Sequence, residues 1–281
     1  METGTEATDT VRTWLDEADR VLVAAGAGLS AAAGYDYGDT ERFEQLFPAL
    51  YRLGLRSRYL LGAPLPADMM WGYWAVHIDD IRFGTDPNPL YRGLRSLVGD
   101  RDHRVLTSNV DGLFARNGFE PDRIFTPQGD YGRLQCTVPC SQETWPSKPF
   151  LDRILAAYDR DTGRVTDPAA LPVCPRCGAE VFPNVRVGPE FVDGPYLAAG
   201  DRLTRWLADA PDDARLLVLE FGAGFNTPGV IRWPMENIVR HTPGARLVRV
   251  NPGHPDVPAD LGARALSLPF GADRLLHSLT V

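Results

Sequence analysis

Residues 21–34 read VLVAAGAGLSAAAG, and this stretch decides the fold of the chain. An apolar run at 21–23 passes into Gly26 and Gly28, and small residues that suit a helix follow from Ser30. Glycines at a strand-to-helix turn let the backbone approach a pyrophosphate, whose charge then faces free helix N–H groups. The same pattern also occurs where a strand and a helix simply pack closely. The stretch therefore predicts either a dinucleotide-binding turn or a packing turn.

The composition limits the classes of partner. The chain has 281 residues and a net charge of −8, which argues against nucleic acid and anionic membranes as ligands. No apolar run is long enough to span a bilayer. The first ten residues, METGTEATDT, lack the basic and apolar regions of a signal peptide, so we expect a frayed tail and a cytoplasmic protein. Thr10 is expected to cap the first helix.

Six short apolar runs predict buried parallel strands, and a helical pattern follows most of them. These runs are residues 21–25, 104–108, 123–126, 215–221, 246–250 and 264–268. The predicted fold class is α/β, a Rossmann-like doubly wound parallel sheet. Its domain is expected to comprise residues 1–39, 99–131 and 188–281.

Two stretches do not follow this alternation and are interpreted as insertions. Residues 40–98 carry helical patterns, with an aromatic stripe that includes Trp71 and Trp74. We interpret the stripe as core, and a ligand-binding role is the alternative. Residues 132–187 hold all four cysteines.

The cysteines form two close pairs, Cys136 with Cys140 and Cys174 with Cys177. Two such pairs separated by a loop favour a closed, tetrahedral zinc site of structural type, and free or redox-active cysteines are the alternative. The sequence therefore predicts that residues 132–187 form a zinc-ribbon module without a catalytic role.

Polar residues follow two of the predicted strands. Asn109 and Asp111 come after the second, where they would face the same crevice as the glycine turn, although an Asx turn that caps the next helix is an alternative. Gln128 follows the third strand and could be an ordinary turn residue. Two further glycines, Gly222 and Gly224, lie near the end of a late strand.

Taken in order, these segments resemble the sirtuin (Sir2) family over nearly the whole chain. The resemblance lies in Gly26-Ala27-Gly28-Leu29-Ser30, Ser108-Asn109-Val110-Asp111, the cysteine pairs, the late glycines and Asn251. It implies an NAD site and a structural Zn²⁺. The residues that this resemblance assigns to NAD binding are Ala25, Gly26, Ala27, Gly28, Ser30, Tyr37, Ser108, Asn109, Asp111, Gln128, Gly222, Ala223, Gly224, Asn226, Asn251, Phe270 and Gly271.

The departures from the deacylase pattern indicate a particular branch. Gln128 occupies the position of the deacylase histidine, and an amide cannot accept a proton near neutral pH. Arg186 and Pro189 replace apolar and glycine positions of the acyl-lysine groove. The chain is thereby similar to class M sirtuins, which implies a protein ADP-ribosyltransferase with Asn109, Asp111, Gln128 and Arg186 in catalysis. Gln128 would orient the ribose.

Arg186 would hold a phosphate or an acceptor carboxylate, and a surface pair with Glu190 is the alternative. The class M resemblance also implies a lipoylated, glycine-cleavage-H-like carrier as acceptor and a macrodomain hydrolase that reverses the modification. Arg52, Arg56 and Arg58 are a candidate basic patch for an acidic carrier, against ordinary surface charge.

The five histidines fall outside the motifs, and each is interpreted as surface or core. Of these, His77 is the candidate for proximity to the ribose. The competing functions are a Sir2-type NAD glycohydrolase and a non-catalytic NAD or ADP-ribose sensing module.

Overall fold

The structure is a computed structural model that describes residues 4–211 and 213–280. Its central sheet has six parallel strands in the order β11-β10-β9-β1-β2-β3. These strands are β1 (Arg20–Ala25), β2 (Asp102–Thr107), β3 (Ile124–Phe125), β9 (Leu216–Phe221), β10 (Arg246–Val250) and β11 (Ala265–Leu268). All six predicted strands and the doubly wound parallel sheet are confirmed.

The strand order reverses between β1 and β9. From β1 the chain builds outward to β3 and later returns through β9 to β11 on the other side. Ala25 pairs with Thr107 on one side and with Phe221 on the other, so the three strands end at the same level. Ligands of open α/β sheets bind at such a switch point, beyond the carboxyl ends of the strands.

Helices cover both faces of the sheet. Val21 and Val23 pack into a core with one group of helices, whereas Leu22 and Ala24 pack into a second core on the opposite face. The helices of the first group are α1 (Gly4–Glu17), α2 (Ala27–Ala32), α6 (Pro89–Val98), α7 (Leu113–Arg116) and α11 (Ala272–Thr280), and those of the second are α9 (Gly194–Ala208) and α10 (Arg232–His241).

The expectation for the N-terminus is wrong where the structure describes it. α1 begins at Gly4, so Thr10 lies inside the helix and does not cap it. Its hydroxyl donates back to the carbonyl of Glu6 at 3.0 Å, a bond that a Thr within a helix can make. Residues 1–3 of the predicted tail lie outside the described residues.

The two predicted insertions share one hydrophobic core. Trp71 and Ile78 from the first pack in the same cluster as Leu134, Leu151 and Val181 from the second. The aromatic stripe is therefore core, as predicted. The first insertion contains α3 (Thr40–Leu46), α4 (Pro48–Arg52) and α5 (Ala67–Arg82) before α6, and the second contains β5 (Trp145–Pro146), α8 (Lys148–Ala156), β6 (Tyr158–Asp159), β7 (Arg164–Val165) and β8 (Val181–Val185).

A small antiparallel sheet connects the second insertion to the part of the chain that follows β3. Its order is β5-β4-β8, with β4 spanning Gly129–Cys136. The predicted domain boundary between residues 131 and 132 falls within β4. Among the described residues, no helix combines the length and the apolar character needed to cross a membrane.

Candidate active site

The glycine turn packs directly against the turn that follows β9. Gly28 donates its backbone N–H to the carbonyl of Gly222 at 3.0 Å, and Gly26 donates to Phe221 at 2.9 Å. A Cβ on Gly28 would lie 2.7 Å from the Cα of Gly222, closer than backbone atoms tolerate. Gly222 has φ of +60°, a conformation that glycine adopts without strain. The packing alternative for this stretch is therefore confirmed, and dinucleotide binding by the same turn stays a prediction.

Ser30 connects this turn to the polar residues after β2. Its hydroxyl donates to the Asp111 carboxylate at 2.6 Å and lies 3.1 Å from the Asn109 side-chain amide, which donates to it. The same Asn109 amide donates to the carbonyl of Gly26 at 3.0 Å. Since Ser30 has one hydroxyl proton and gives it to Asp111, the Tyr91 hydroxyl at 3.2 Å must act as donor to Ser30.

Asp111 accepts two hydrogen bonds and lies in a buried position that disfavours its charged form. One carboxylate oxygen accepts from Ser30, and the other accepts from the backbone N–H of Leu113 at 2.9 Å, as the Asx-turn alternative expected. The residue is 3% exposed. Burial raises the pKa of the Asp111 carboxyl above its usual range, and the two hydrogen bonds oppose this rise only in part.

Three adjoining cavities lie over the carboxyl ends of β1, β2 and β9. The largest of the three by residue count has a volume of about 290 Å³ and contains Ser30, Asn109 and Asp111 in its walls. A second, of about 260 Å³, shares Asn109 and Asp111 with it. A third, of about 200 Å³, shares Ala27, Gly28 and Ser108 with the first and adds Gly222, Ala223, Gly224 and Asn226. Together, the three cavities are called the cleft.

Beside β10, hydrogen bonds to the turn after β9 close the cleft. Asn251 donates its amide to the carbonyl of Ala223 at 2.9 Å, and Arg232 donates to the same carbonyl at 3.0 Å. Ala25 lies at the end of β1, where its carbonyl accepts the Thr107 hydroxyl at 3.0 Å. Phe270 and Gly271 follow β11 at the same edge of the sheet but line none of the three cavities.

Gln128 and Arg186 lie side by side at the start of the small sheet. Arg186 donates its backbone N–H to the Gln128 carbonyl at 2.9 Å and its Nε to the Pro127 carbonyl at 3.1 Å. The guanidinium lies 4.3 Å from the ring centre of Phe191 and 3.7 Å from the Asp193 carboxylate. The alternative of a surface ion pair for Arg186 is therefore confirmed with a different carboxylate, Asp193 in place of Glu190. Gln128 is half-buried and lines none of the three cavities.

Tyrosines form one wall of the first of these three cavities, and the sequence patterns missed most of them. Tyr35, Tyr37, Tyr59 and Tyr131 all line this space. Only Tyr37 was predicted to belong to the site. His77 lies behind the wall, with its ring centre 4.9 Å from that of Tyr37, and does not line any of the three cavities.

Only two of the three arginines of the predicted basic patch lie at the surface. Arg58 is 2% exposed, and its guanidinium pairs with Asp80 at 2.8 Å beneath the tyrosine wall. Arg52 and Arg56 are exposed, but their guanidinium groups donate to backbone carbonyls of the chain itself.

The four cysteines form a single cluster. Their sulfur atoms lie within 4.8 Å of one another, with 3.6 Å between Cys136 and Cys177 and 3.6 Å between Cys140 and Cys174. A tetrahedral site with zinc–sulfur bonds of about 2.3 Å places its sulfurs about 3.8 Å apart. The four thiolates therefore fit a structural Zn²⁺, which would leave no open coordination position.

No family model matches the chain. It is 37% identical over 250 residues to a probable bifunctional ADP-ribose hydrolase/ADP-ribosyltransferase of Fusarium oxysporum f. sp. cubense, with 86% of this chain and 42% of that protein covered. The chain thus spans less than half the length of this relative. It is 27% identical over 274 residues to a protein ADP-ribosyltransferase of Staphylococcus aureus (strain Mu50 / ATCC 700699), with 95% of this chain and 85% of that protein covered.

Among solved structures, the chain is similar to a Sir2 homolog–NAD complex with a TM-score of 0.55 and 18% sequence identity. The superposition covers 97% of this chain and 93% of the other. The shared fold, the four-cysteine cluster and the two relatives agree with one another. The chain shares the fold of Sir2 proteins and is similar in sequence to proteins named as ADP-ribosyltransferases.

Proposed function

We propose that the chain is an NAD-dependent protein mono-ADP-ribosyltransferase of sirtuin type, with little or no deacetylase activity. It would cleave the nicotinamide–ribose bond of NAD and transfer ADP-ribose to a protein acceptor. One observation carries this proposal. The hydrogen-bonded residues Ser30, Asn109 and Asp111 line the cleft, and no histidine lines any of its three cavities.

NAD as substrate would lie along the cleft, with its pyrophosphate near the glycine turn and its nicotinamide end beside Asn109 and Asp111. The shared wall of the first and third cavities and the two apposed glycine turns support this placement. The Asp111 carboxylate would stabilise positive charge that develops on the ribose as the bond breaks. Of the remaining residues assigned to NAD binding, those that line the cavities would contact the rest of the molecule: Tyr37, Ser108, Gly222, Ala223, Gly224 and Asn226.

Gln128 and Arg186 would act at the acceptor side. An amide can orient a ribose hydroxyl by hydrogen bonding but cannot remove its proton, which deacylation by a sirtuin mechanism requires. Arg186 would hold a phosphate or an acceptor carboxylate with its planar guanidinium. The contact of Arg186 with the Gln128 backbone supports a joint role for the two residues.

We further propose a lipoylated, glycine-cleavage-H-like carrier as acceptor and a macrodomain hydrolase acting in the same pathway. The name of the fungal relative combines an ADP-ribose hydrolase with an ADP-ribosyltransferase, which supports a coupled hydrolase. A cytoplasmic location stays a prediction from the sequence. A structural Zn²⁺ in the cysteine cluster would stabilise the fold of the module and would take no part in transfer.

A transfer assay with labelled NAD tests this function. We expect label on a lipoylated carrier with the unaltered chain, and a loss of at least tenfold for Asn109→Ala and Gln128→Ala. Gln142→Ala, at an exposed glutamine, is the control. Free ADP-ribose without protein labelling would instead indicate an NAD glycohydrolase, and binding without turnover would indicate a sensing module. Deacylation of acetyl-lysine peptides at ordinary sirtuin rates would overturn the proposal.

A further inference from the structure

We propose that Tyr131 is a substrate-contacting hydrogen-bond donor in the first of the three cavities of the candidate site and that the buried His77 is the positioning residue for its ring. The proposal rests on the function proposed above and adds two residues to it. Tyr131 would contact the nicotinamide–ribose end of NAD, because it shares its cavity with Asn109 and Asp111.

The backbone of Tyr131 is fixed on both sides. Its N–H donates to the carbonyl of Val110 at 2.8 Å, in the loop that carries Asn109 and Asp111. Its carbonyl accepts the hydroxyl of the fully buried Ser147 at 2.7 Å. The phenol therefore enters the cavity from a rigid support, and small displacements of the ring would have to come from its side-chain packing.

The hydroxyl of Tyr131 remains protonated at physiological pH. Burial raises the pKa of Tyr131 to about 12, and the nearby charge of Asp111 raises it as well. A neutral phenol in this position cannot serve as a base near neutral pH. It can donate a hydrogen bond to an oxygen atom of a bound molecule.

His77 fills the space behind two of the wall tyrosines. Its ring centre lies 5.3 Å from that of Tyr131 and 4.9 Å from that of Tyr37, both nearly perpendicular to it. On its other side it stacks on Tyr73 at 5.4 Å. The residue has no exposed surface, so the imidazole acts as a spacer between α5 and the cavity wall.

The imidazole contributes shape and no charge. Neither ring nitrogen has a hydrogen-bond partner among the described residues. Burial, together with the charge of Arg58, lowers the pKa of His77 to about 3, so the ring is neutral at physiological pH. A phenylalanine would fill nearly the same volume and would not leave two polar atoms buried without partners. An alanine would leave a void beside Tyr37 and Tyr131.

Calorimetric titration with NAD and with ADP tests the assignment, because ADP lacks both the nicotinamide and its ribose. We expect Tyr131→Phe to weaken NAD binding about 3- to 10-fold, the effect of one hydrogen bond, with ADP affinity unchanged. His77→Ala should weaken NAD binding to a similar degree, with no further loss in the double variant. His77→Phe should bind NAD as the unaltered chain does.

Tyr158→Phe is the matched control, since Tyr158 is half-buried and lines none of the three cavities. If His77→Ala does not fold, His77→Val provides the same loss of ring contact. Unchanged NAD affinity in Tyr131→Phe would overturn the contact. Equal impairment of His77→Phe and His77→Ala would overturn the positioning role, because it would show that the nitrogens matter.

The two proposals fail in different ways. If these affinity changes occur but no protein becomes labelled, the transferase function is wrong and the Tyr131 contact stands. If labelling occurs and the affinities do not change, the function stands and the Tyr131 contact is wrong.

Discussion

The Ser30 hydroxyl donates a 2.6 Å hydrogen bond to the Asp111 carboxylate, across 81 residues of sequence. Together with the bonds from the Asn109 amide, this bond joins the turn after β1 to the loop after β2. It also reaches a carboxylate whose pKa is raised by burial. Asp111 therefore combines an ordered position with an unfavourable charge, a combination typical of functional sites.

The raised pKa of Asp111 predicts how stability changes with pH. Because the folded state binds the Asp111 proton more tightly than the unfolded state, this residue's contribution to stability increases as pH falls through the folded pKa. Relative to Asp111→Asn, the unaltered chain should therefore gain stability as the solution is acidified from neutral pH. Urea unfolding of both proteins over a pH series measures this difference.

The same comparison has a clear control in Gln142→Ala, since Gln142 is exposed and its amide carries no titratable group. The difference between that variant and the unaltered chain should stay nearly constant over the same pH range. If the unaltered chain instead loses stability relative to Asp111→Asn as the pH falls, the folded state stabilises Asp111 as an anion.

Close packing of the two glycine turns predicts an asymmetric response to alanine. Gly28→Ala should lower the free energy of unfolding by about 1–3 kcal/mol, because its Cβ would collide with the Gly222 backbone. Gly224→Ala should change it by less than about 0.5 kcal/mol, since a Cβ there meets no atom within 4 Å. Thermal unfolding of the two variants checks this, and equal effects would contradict the packing of the turns.

A buried ion pair beneath the cleft offers a second stability test. Arg249 holds Glu220 through two bonds of 2.6 and 2.9 Å, and both side chains are at most 1% exposed. Arg249→Met would leave a buried charge without its partner and should cost about 3–5 kcal/mol. Since Arg249 also bonds Glu236 at 2.8 Å, the double variant Arg249→Met with Glu220→Leu should recover only the part of this loss that comes from Glu220. Denaturant titrations of the single and double variants form the test, and additive losses would contradict it.

The cysteine cluster predicts metal-dependent stability. The protein should contain one zinc per chain, and Cys174→Ser should remove it with a loss of stability on the order of 5 kcal/mol. Elemental analysis together with thermal unfolding measures both effects. Ser141→Ala, next to the exposed Cys140, should keep the metal and serve as control. Full stability of the cysteine variant would show that the cluster does not hold a structural ion.

The central sheet was predictable because parallel strands buried on both faces leave apolar runs that the sequence displays directly. Residues 215–221, for example, are predicted as a strand, and Leu216–Phe221 forms one with every residue buried. The glycine turn, the Asn109 and Asp111 loop and the cysteine pairs were likewise visible as local motifs. Each of these features needs only neighbouring residues to be recognised.

The tyrosine wall and the burial of Arg58 were not predictable from local patterns. Tyr131 reaches the cavity because β4 pairs with β8, and Arg58 is buried because Asp80 on α5 meets it across 22 residues of sequence. An arginine between exposed neighbours gives no sign that it will be covered. Contacts between distant segments, which set these positions, leave no periodic trace in the sequence.

The common core of the two insertions has a consequence for engineering and for evolution. Trp71 and Leu134 belong to one cluster that also contains Cys136 and Cys174, so neither insertion has a separate interior to retain if the other is cut away. Deleting the helical insertion would expose the apolar side chains of the cysteine-containing insertion to solvent. Transfer of either insertion to another protein would therefore require transfer of both.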